Sequence, residues 1–102
     1  MGSWLAMDRE ALLRKIHEIL ESGRYERRNH FGDRQASRNI SDSEIFQVID
    51  EGVIIDGPTW NNEHSNWKVN IEAEVSCGDS IVVSLGVELE DEHLFMITAF
   101  AR

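Results

Sequence analysis

Apolar residues recur at three- and four-residue spacing in the first half of the chain and at two-residue spacing in the second. Leu12, Leu13, Ile16, Ile19 and Leu20 fall on one side of a helical wheel, which predicts an amphipathic helix. Asp8 precedes it as an N-cap and Gly23 follows as a stop. His17 takes a surface or boundary position on it. The segment RYERRNH has no clear period. HFGDRQASRN, residues 30–39, predicts a second, shorter helix with Phe31 and Ala36 among its less polar positions. Gly32 weakens that helix by up to about 1 kcal/mol relative to alanine. Ser41-Asp42-Ser43-Glu44 has the form of a capping box. It opens a third helix whose stripe is Ile45, Val48 and Ile49 and whose end is Gly52.

Beyond Gly52 the pattern is that of strands. Val53–Ile55 is short and apolar, and Asp56-Gly57-Pro58 reads as a turn. Trp67, Val69, Ile71, Ala73 and Val75 alternate with Lys68, Asn70, Glu72 and Glu74, which predicts a half-buried strand. The turn SCGDS leads into Ile81–Leu89, and the acidic turn EDEH into Leu94–Phe100. Strands joined by short connections form an antiparallel sheet. The expected fold is therefore α+β: two or three N-terminal helices on a three- to four-stranded antiparallel sheet. Residues 1–102 form one expected domain, with 8–52 helical and 53–102 sheet, and MGSWLAM reads as a lead-in or tag remnant.

Composition narrows the function classes. The chain of 102 residues has no apolar run long enough for a membrane span. MGSWLAM lacks the basic start of a secretory signal, so a cytoplasmic location without membrane contact is expected. The single cysteine, Cys77, forms no internal disulfide and reads as a turn residue. The net charge is −9, divided unevenly. Residues 1–40 hold eight cations against six acids, whereas 41–102 hold only Lys68 and Arg102 against thirteen. Such acidity disfavours general nucleic-acid binding, which phosphate neutralisation drives. A local basic patch still works, because exposed charges more than about 10 Å apart are largely screened at 0.1 M salt.

Candidate chemistry concentrates in HFGDRQASR. On a helix, His30, Arg34 and Arg38 at i, i+4 and i+8 fall within roughly 80° of one face, in a row about 12 Å long. This combination suits phosphodiester chemistry. Histidine exchanges a proton near neutrality, and arginine holds phosphate oxygens while negative charge grows. The same spacing also describes a solvated helix face, with Arg38 paired to Asp42. Trp60–Trp67 brackets a polar loop, with Trp67 read as core. His64 and His93 each follow a glutamate but lie in no ligand-spaced motif. No metal site and no cofactor are expected.

From about Tyr25 onward the chain resembles a bacterial family of small domains of unknown function. That family's pattern runs His-x3-Arg-x3-Arg-x-Ile-Ser, then Glu-x-Gly-x-Val-Ile, then Ile-x-Thr-x-Tyr. The matching pieces are HFGDRQASRNIS, IDEGVII and MITAF, in the same order. The chain departs from the pattern at Phe100, where the family often has tyrosine. The family is usually grouped with the barnase, colicin and RelE-like ribonucleases, many of them toxins. The resemblance implies a RelE/barnase-like fold and metal-independent RNA cleavage. It makes His30 the acid–base residue, Arg34 and Arg38 the phosphate holders, and Thr98 a further hydroxyl contact. RNA substrate and an antitoxin are the partners it implies. The second reading of the residues is a non-catalytic module whose acidic sheet binds a basic protein.

Overall fold

The computed structural model describes residues 8–28, 31–75 and 78–102. Three helices, α1 (Arg9–Ser22), α2 (Phe31–Ser37) and α3 (Asp42–Glu51), precede most of the sheet. The strands are β1 (Tyr25–Arg27), β2 (Val53–Asn61), β3 (Asn66–Glu74), β4 (Ser80–Glu88) and β5 (His93–Ala101). The fold is α+β, and its sheet has five strands in the order β1-β5-β4-β3-β2. No helix among the described residues is long and apolar enough to cross a membrane.

Local chemistry sets the helix ends. Asp8 Oδ1 accepts a hydrogen bond from Ala11 N at 2.7 Å, and Gly23 closes α1 in the left-handed region at φ 81°. Only glycine adopts that conformation without a steric penalty. The capping box of α3 is present, with Ser41 accepting from Glu44 N and the Glu44 carboxylate accepting from Ser41 N. A cap of this kind stabilises by roughly 1 kcal/mol. α2 is shorter than its sequence window. Asn39 turns left-handed at φ 57°, Asn39 N donates to Ala36 O, and Ile40 N donates to Gln35 O. This double bond pattern ends a helix and leaves Arg38 past the last full turn. Phe31 and Gln35 form the buried stripe, whereas Ala36 is exposed.

β2, β3, β4 and β5 form an antiparallel meander. Cross-strand partners share a face. Trp67, Val69 and Ile71 thus join Val87, Leu85 and Val83 on the side that meets α1 and α3. His17 Nε2 lies 2.7 Å from Ile49 O and ties α1 to α3. The other face carries Lys68, Asn70 and Glu72 of β3, opposite Gly86, Ser84 and Val82 of β4. That face is not simply wet, because Val82 and Ser84 are buried. Ser84 Oγ donates to Asn70 Oδ1 at 2.6 Å, and Asn70 Nδ2 donates to Asp56 Oδ2 at 3.4 Å.

Three expectations are corrected. Tyr25–Arg27, which has no period of its own, is a fifth strand parallel to β5, with Tyr25 opposite Leu94. The sheet is therefore mixed, and one strand comes from the helical part of the chain. A three-residue strand with two exposed side chains carries no local signal, because its pairing partner is remote. The Asp56-Gly57-Pro58 turn is instead the middle of β2, with register shifts on both sides of Asp56. A proline is tolerated there because β2 is an edge strand interrupted by irregular pairing. Finally, Asp42 accepts from Arg27 at 2.8 Å and from Gln35 at 2.6 Å, and Arg38 turns elsewhere.

Candidate functional site

α2 lies against β5, where β1 has already ended its pairing at Met96. With Phe31 and Gln35 turned into the core, the next sector of the helical wheel, which carries Arg34 and Arg38, lies at the sheet rim. Arg38 reaches across that rim. One guanidinium nitrogen donates to Ala99 O at 2.7 Å and to Thr98 Oγ1 at 3.1 Å. Arg38 and Thr98 are thus brought together, as neighbours that hold α2 to β5. Arg34, one turn earlier, faces a different space. His30 lies outside the described residues, as do residues 1–7 and Cys77.

Arg34 lines a cleft of about 300 Å³ together with Arg28, Asn61, Glu63, His64, Asn66, Lys68 and Ile97. They come from the residue after β1, from α2, from the β2–β3 turn with the start of β3, and from β5. Arg28 follows β1, and its guanidinium carbon sits 4.0 Å from the centre of the Phe95 ring. This cation–π contact fixes the charge at the mouth of the cleft. Lys68 projects from β3 on the same face as Gly86. Ile97 is the extra residue of a bulge, since Ser84 pairs with Thr98 and Leu85 with Met96. Bulges re-aim side chains, and this one turns Ile97 toward the cleft floor.

The wall opposite α2 is the β2–β3 turn. Asn61 Oδ1 accepts from Glu63 N at 3.0 Å and from His64 N at 3.4 Å. Trp60 Nε1 donates to Asn62 Oδ1 at 2.9 Å, and Ser65 takes a left-handed φ of 52°. These bonds hold His64 in place rather than leaving it on a free loop. Asn66 is almost wholly buried, at 2% exposure. Its side chain lies over Gly86, where an added Cβ would stand 2.7 Å from Asn66 Nδ2.

Three cations and an imidazole therefore face one cleft, against the single carboxylate of Glu63, on a chain of net charge −9. Such a cluster selects an anion. A second cleft of about 300 Å³ lies by the same turn, where Trp60 meets the buried Trp67 edge to face at 5.1 Å. Glu88 and Glu90 line that one, so it repels phosphate. No family model, curated protein or solved structure matches the chain. Among the described residues no three histidine, cysteine or acidic side chains gather as a metal ion requires.

The sequence pattern pointed to Arg34 but not to its neighbours. Lys68 is the only lysine or arginine between Arg38 and Arg102, and a lone cation in an acidic half is the signal that marks it. His64, Asn61 and Asn66 give no such signal. Arg34 lines the cleft, whereas Arg38, at the very end of α2 with its N–H still bonded to Arg34 O, binds β5.

Glu88 lies at the β4–β5 end of this face. Burial raises its pKa above the ordinary glutamate value, and the hydrogen bond and negative charge of Asp91 add to the rise, against His93 and Arg28. A carboxyl whose folded-state pKa is raised favours folding below its unfolded pKa. That contribution is lost as pH rises through the folded value. Glu88→Gln keeps a donor for Asp91 and removes the charge. Its melting temperature is expected to exceed wild type by a few degrees at pH 7. The gap should close toward pH 4. A variant less stable than wild type at pH 7 would contradict this sign.

Proposed function

We propose that this protein is a small metal-independent ribonuclease or ribonuclease-like toxin that cuts RNA at the cleft between α2 and the β2–β3 turn. The observation that carries this reading is the convergence of Arg28, Arg34, Lys68 and His64 on one space of an otherwise acidic molecule. Arginine and lysine hold the phosphate and offset the negative charge that builds on its oxygens in the transition state. A base removes the proton of the ribose 2′-OH, and the 2′ oxygen forms a bond to phosphorus. The bond from phosphorus to the 5′ oxygen breaks, and that oxygen takes a proton. The products are a cyclic phosphate and a 5′-hydroxyl.

Proton transfer is the task of imidazole near neutral pH. His30 takes that role by the ordered motif resemblance, and His64 is the imidazole that lines the cleft. Thr98 and Arg38 form a flanking phosphate contact. Because Thr98 Oγ1 accepts from Arg38, its own hydroxyl proton remains available to a phosphate oxygen. An antitoxin that covers the cleft is the partner this reading implies.

The test is total RNA incubated in EDTA with wild type and with His30→Ala, followed on a gel. Wild type is expected to degrade the RNA, and the variant to leave it intact while melting within about 2 °C of wild type. Intact RNA with folded wild type would overturn the reading. The function would then be the non-catalytic alternative, an acidic surface that binds a basic protein.

A further inference from the structure

The second cleft beside the β2–β3 turn has chemistry of its own. Strand pairing sets Trp60 of β2 beside Trp67 of β3, and Trp67 beside Val87 of β4. One row of side chains thus ends the core face of the sheet at this turn. Val87 and Leu89 are buried, whereas Trp60 remains 39% exposed, a large aromatic that the helices leave partly uncovered. Its ring is nevertheless held. Trp60 Nε1 donates to Asn62 Oδ1 at 2.9 Å, and the ring meets Trp67 edge to face at 5.1 Å. With its one N–H already bonded, the indole offers a ligand its ring alone. Glu88 and Glu90 line the same space. Glu90 is exposed, and its carboxylate has no ion-pair partner among the described residues.

An aromatic wall, an apolar floor and acidic residues together select an organic cation. An indole ring attracts a cation placed over it, and carboxylates add charge of the opposite sign. Of the two common protein cations the cleft favours guanidinium. That group is flat, stacks on aromatic rings and is weakly hydrated, whereas an ammonium holds its water more tightly and loses more beside Val87 and Leu89. The surroundings favour such a group as part of a protein chain. Residues 41–102 hold two cations against thirteen acids, and a field of that sign steers a basic segment toward this half of the molecule. We infer that the Trp60 cleft takes an arginine side chain from a basic segment of a partner protein, with Trp60 as the stacking wall and Glu90 as the counter-charge. Trp67 lines this cleft, while Asn66 and Lys68 line the cationic one. Alternation along β3 puts the two on opposite faces, so this site stands apart from the proposed RNA cleft and does not rest on the ribonuclease reading.

The test is titration with the peptide acetyl-Gly-Lys-Arg-Lys-Gly-amide and with its analogues carrying lysine or the uncharged isostere citrulline in place of arginine. Binding is followed by the indole N–H signals of the nitrogen-15-labelled protein. Wild type is expected to bind the arginine peptide about threefold more tightly than the lysine peptide and about tenfold more tightly than the citrulline peptide. The largest shifts should fall on Trp60 and Trp67. Trp60→Ala should weaken the arginine peptide about tenfold and erase its advantage over lysine, and Trp60→Phe should recover part of both. Glu90→Gln, at an exposed position that leaves folding intact, should weaken it about threefold. Arg34→Ala, on the opposite face, should change none of these affinities. Equal binding of the arginine and lysine peptides, or full affinity in Trp60→Ala, would overturn the inference, because either marks general attraction to an acidic body. Binding that shifts neither indole would do the same. Wild type that cleaves RNA but ignores the peptides would overturn this site and retain the ribonuclease reading. Wild type that binds arginine through Trp60 and leaves total RNA intact would do the reverse.

Discussion

Arg34→Ala is expected to lower RNA cleavage by about 100-fold or more while leaving the melting curve unchanged. The two halves of this expectation have separate grounds. Arg34 is exposed on α2, and its guanidinium has no hydrogen-bond partner among the described residues. Alanine is the best helix former, so the substitution should move stability by no more than about 0.5 kcal/mol. Toward a phosphate in the cleft, in contrast, Arg34 offers two parallel N–H donors, and alanine offers none. Lys68 and Arg28 continue to attract RNA, so the loss should appear mainly in kcat rather than KM. Arg38→Ala makes a useful contrast. It removes the bonds to Thr98 and Ala99 O, and should lower both activity and melting temperature. Arg34→Ala with full activity would remove the cleft from the mechanism.

Gly52→Ala is expected to cost about 3 kcal/mol or more, which lowers the melting temperature by roughly 15 °C in a domain of this size. Gly52 has φ −78° and ψ 177°, a conformation open to any residue, so the reason is space alone. A Cβ there would collide with Val48 O, and would stand 2.7 Å from both Glu72 O and Ile71 Cγ2. Two of these three are backbone atoms, in the last turn of α3 and in β3, and neither moves without opening a helix or a ladder. Gly52, just after α3, sits against the backbone of β3, and no rotamer change moves the two carbonyl oxygens it would meet. Gly32→Ala should behave in the opposite way. Its Cβ would meet nothing within 4 Å, and the gain in helix propensity should raise stability by up to about 1 kcal/mol. A melting temperature for Gly52→Ala within 3 °C of wild type would contradict this account of the α3–β3 contact.

Much of the architecture is written in short-range pattern. Asp8 and Gly23 bound α1, the capping box starts α3, and the alternation from Trp67 to Val75 sets which side of β3 is buried. These signals are local because helix and strand periods repeat within a few residues. The sequence alone therefore determined the α+β class, the three helices and the meander, and its spacing singled out His30, Arg34 and Arg38 as residues of interest, with Thr98 added by the motif resemblance. Tertiary structure decided how they are grouped. The parallel pairing of Tyr25 with Leu94 places Arg28 beside Phe95 and extends the sheet to the point where α2 can dock. The bulge at Ile97 and the continuation of β2 through Gly57 and Pro58 shape the face beneath. Only with the order β1-β5-β4-β3-β2 do Arg28, Arg34, His64, Asn66 and Lys68 share one space. The physical reason is that no period relates residues so far apart in the chain. Their meeting depends on which strand pairs with which, and burial of the common core beneath the helices selects that pairing.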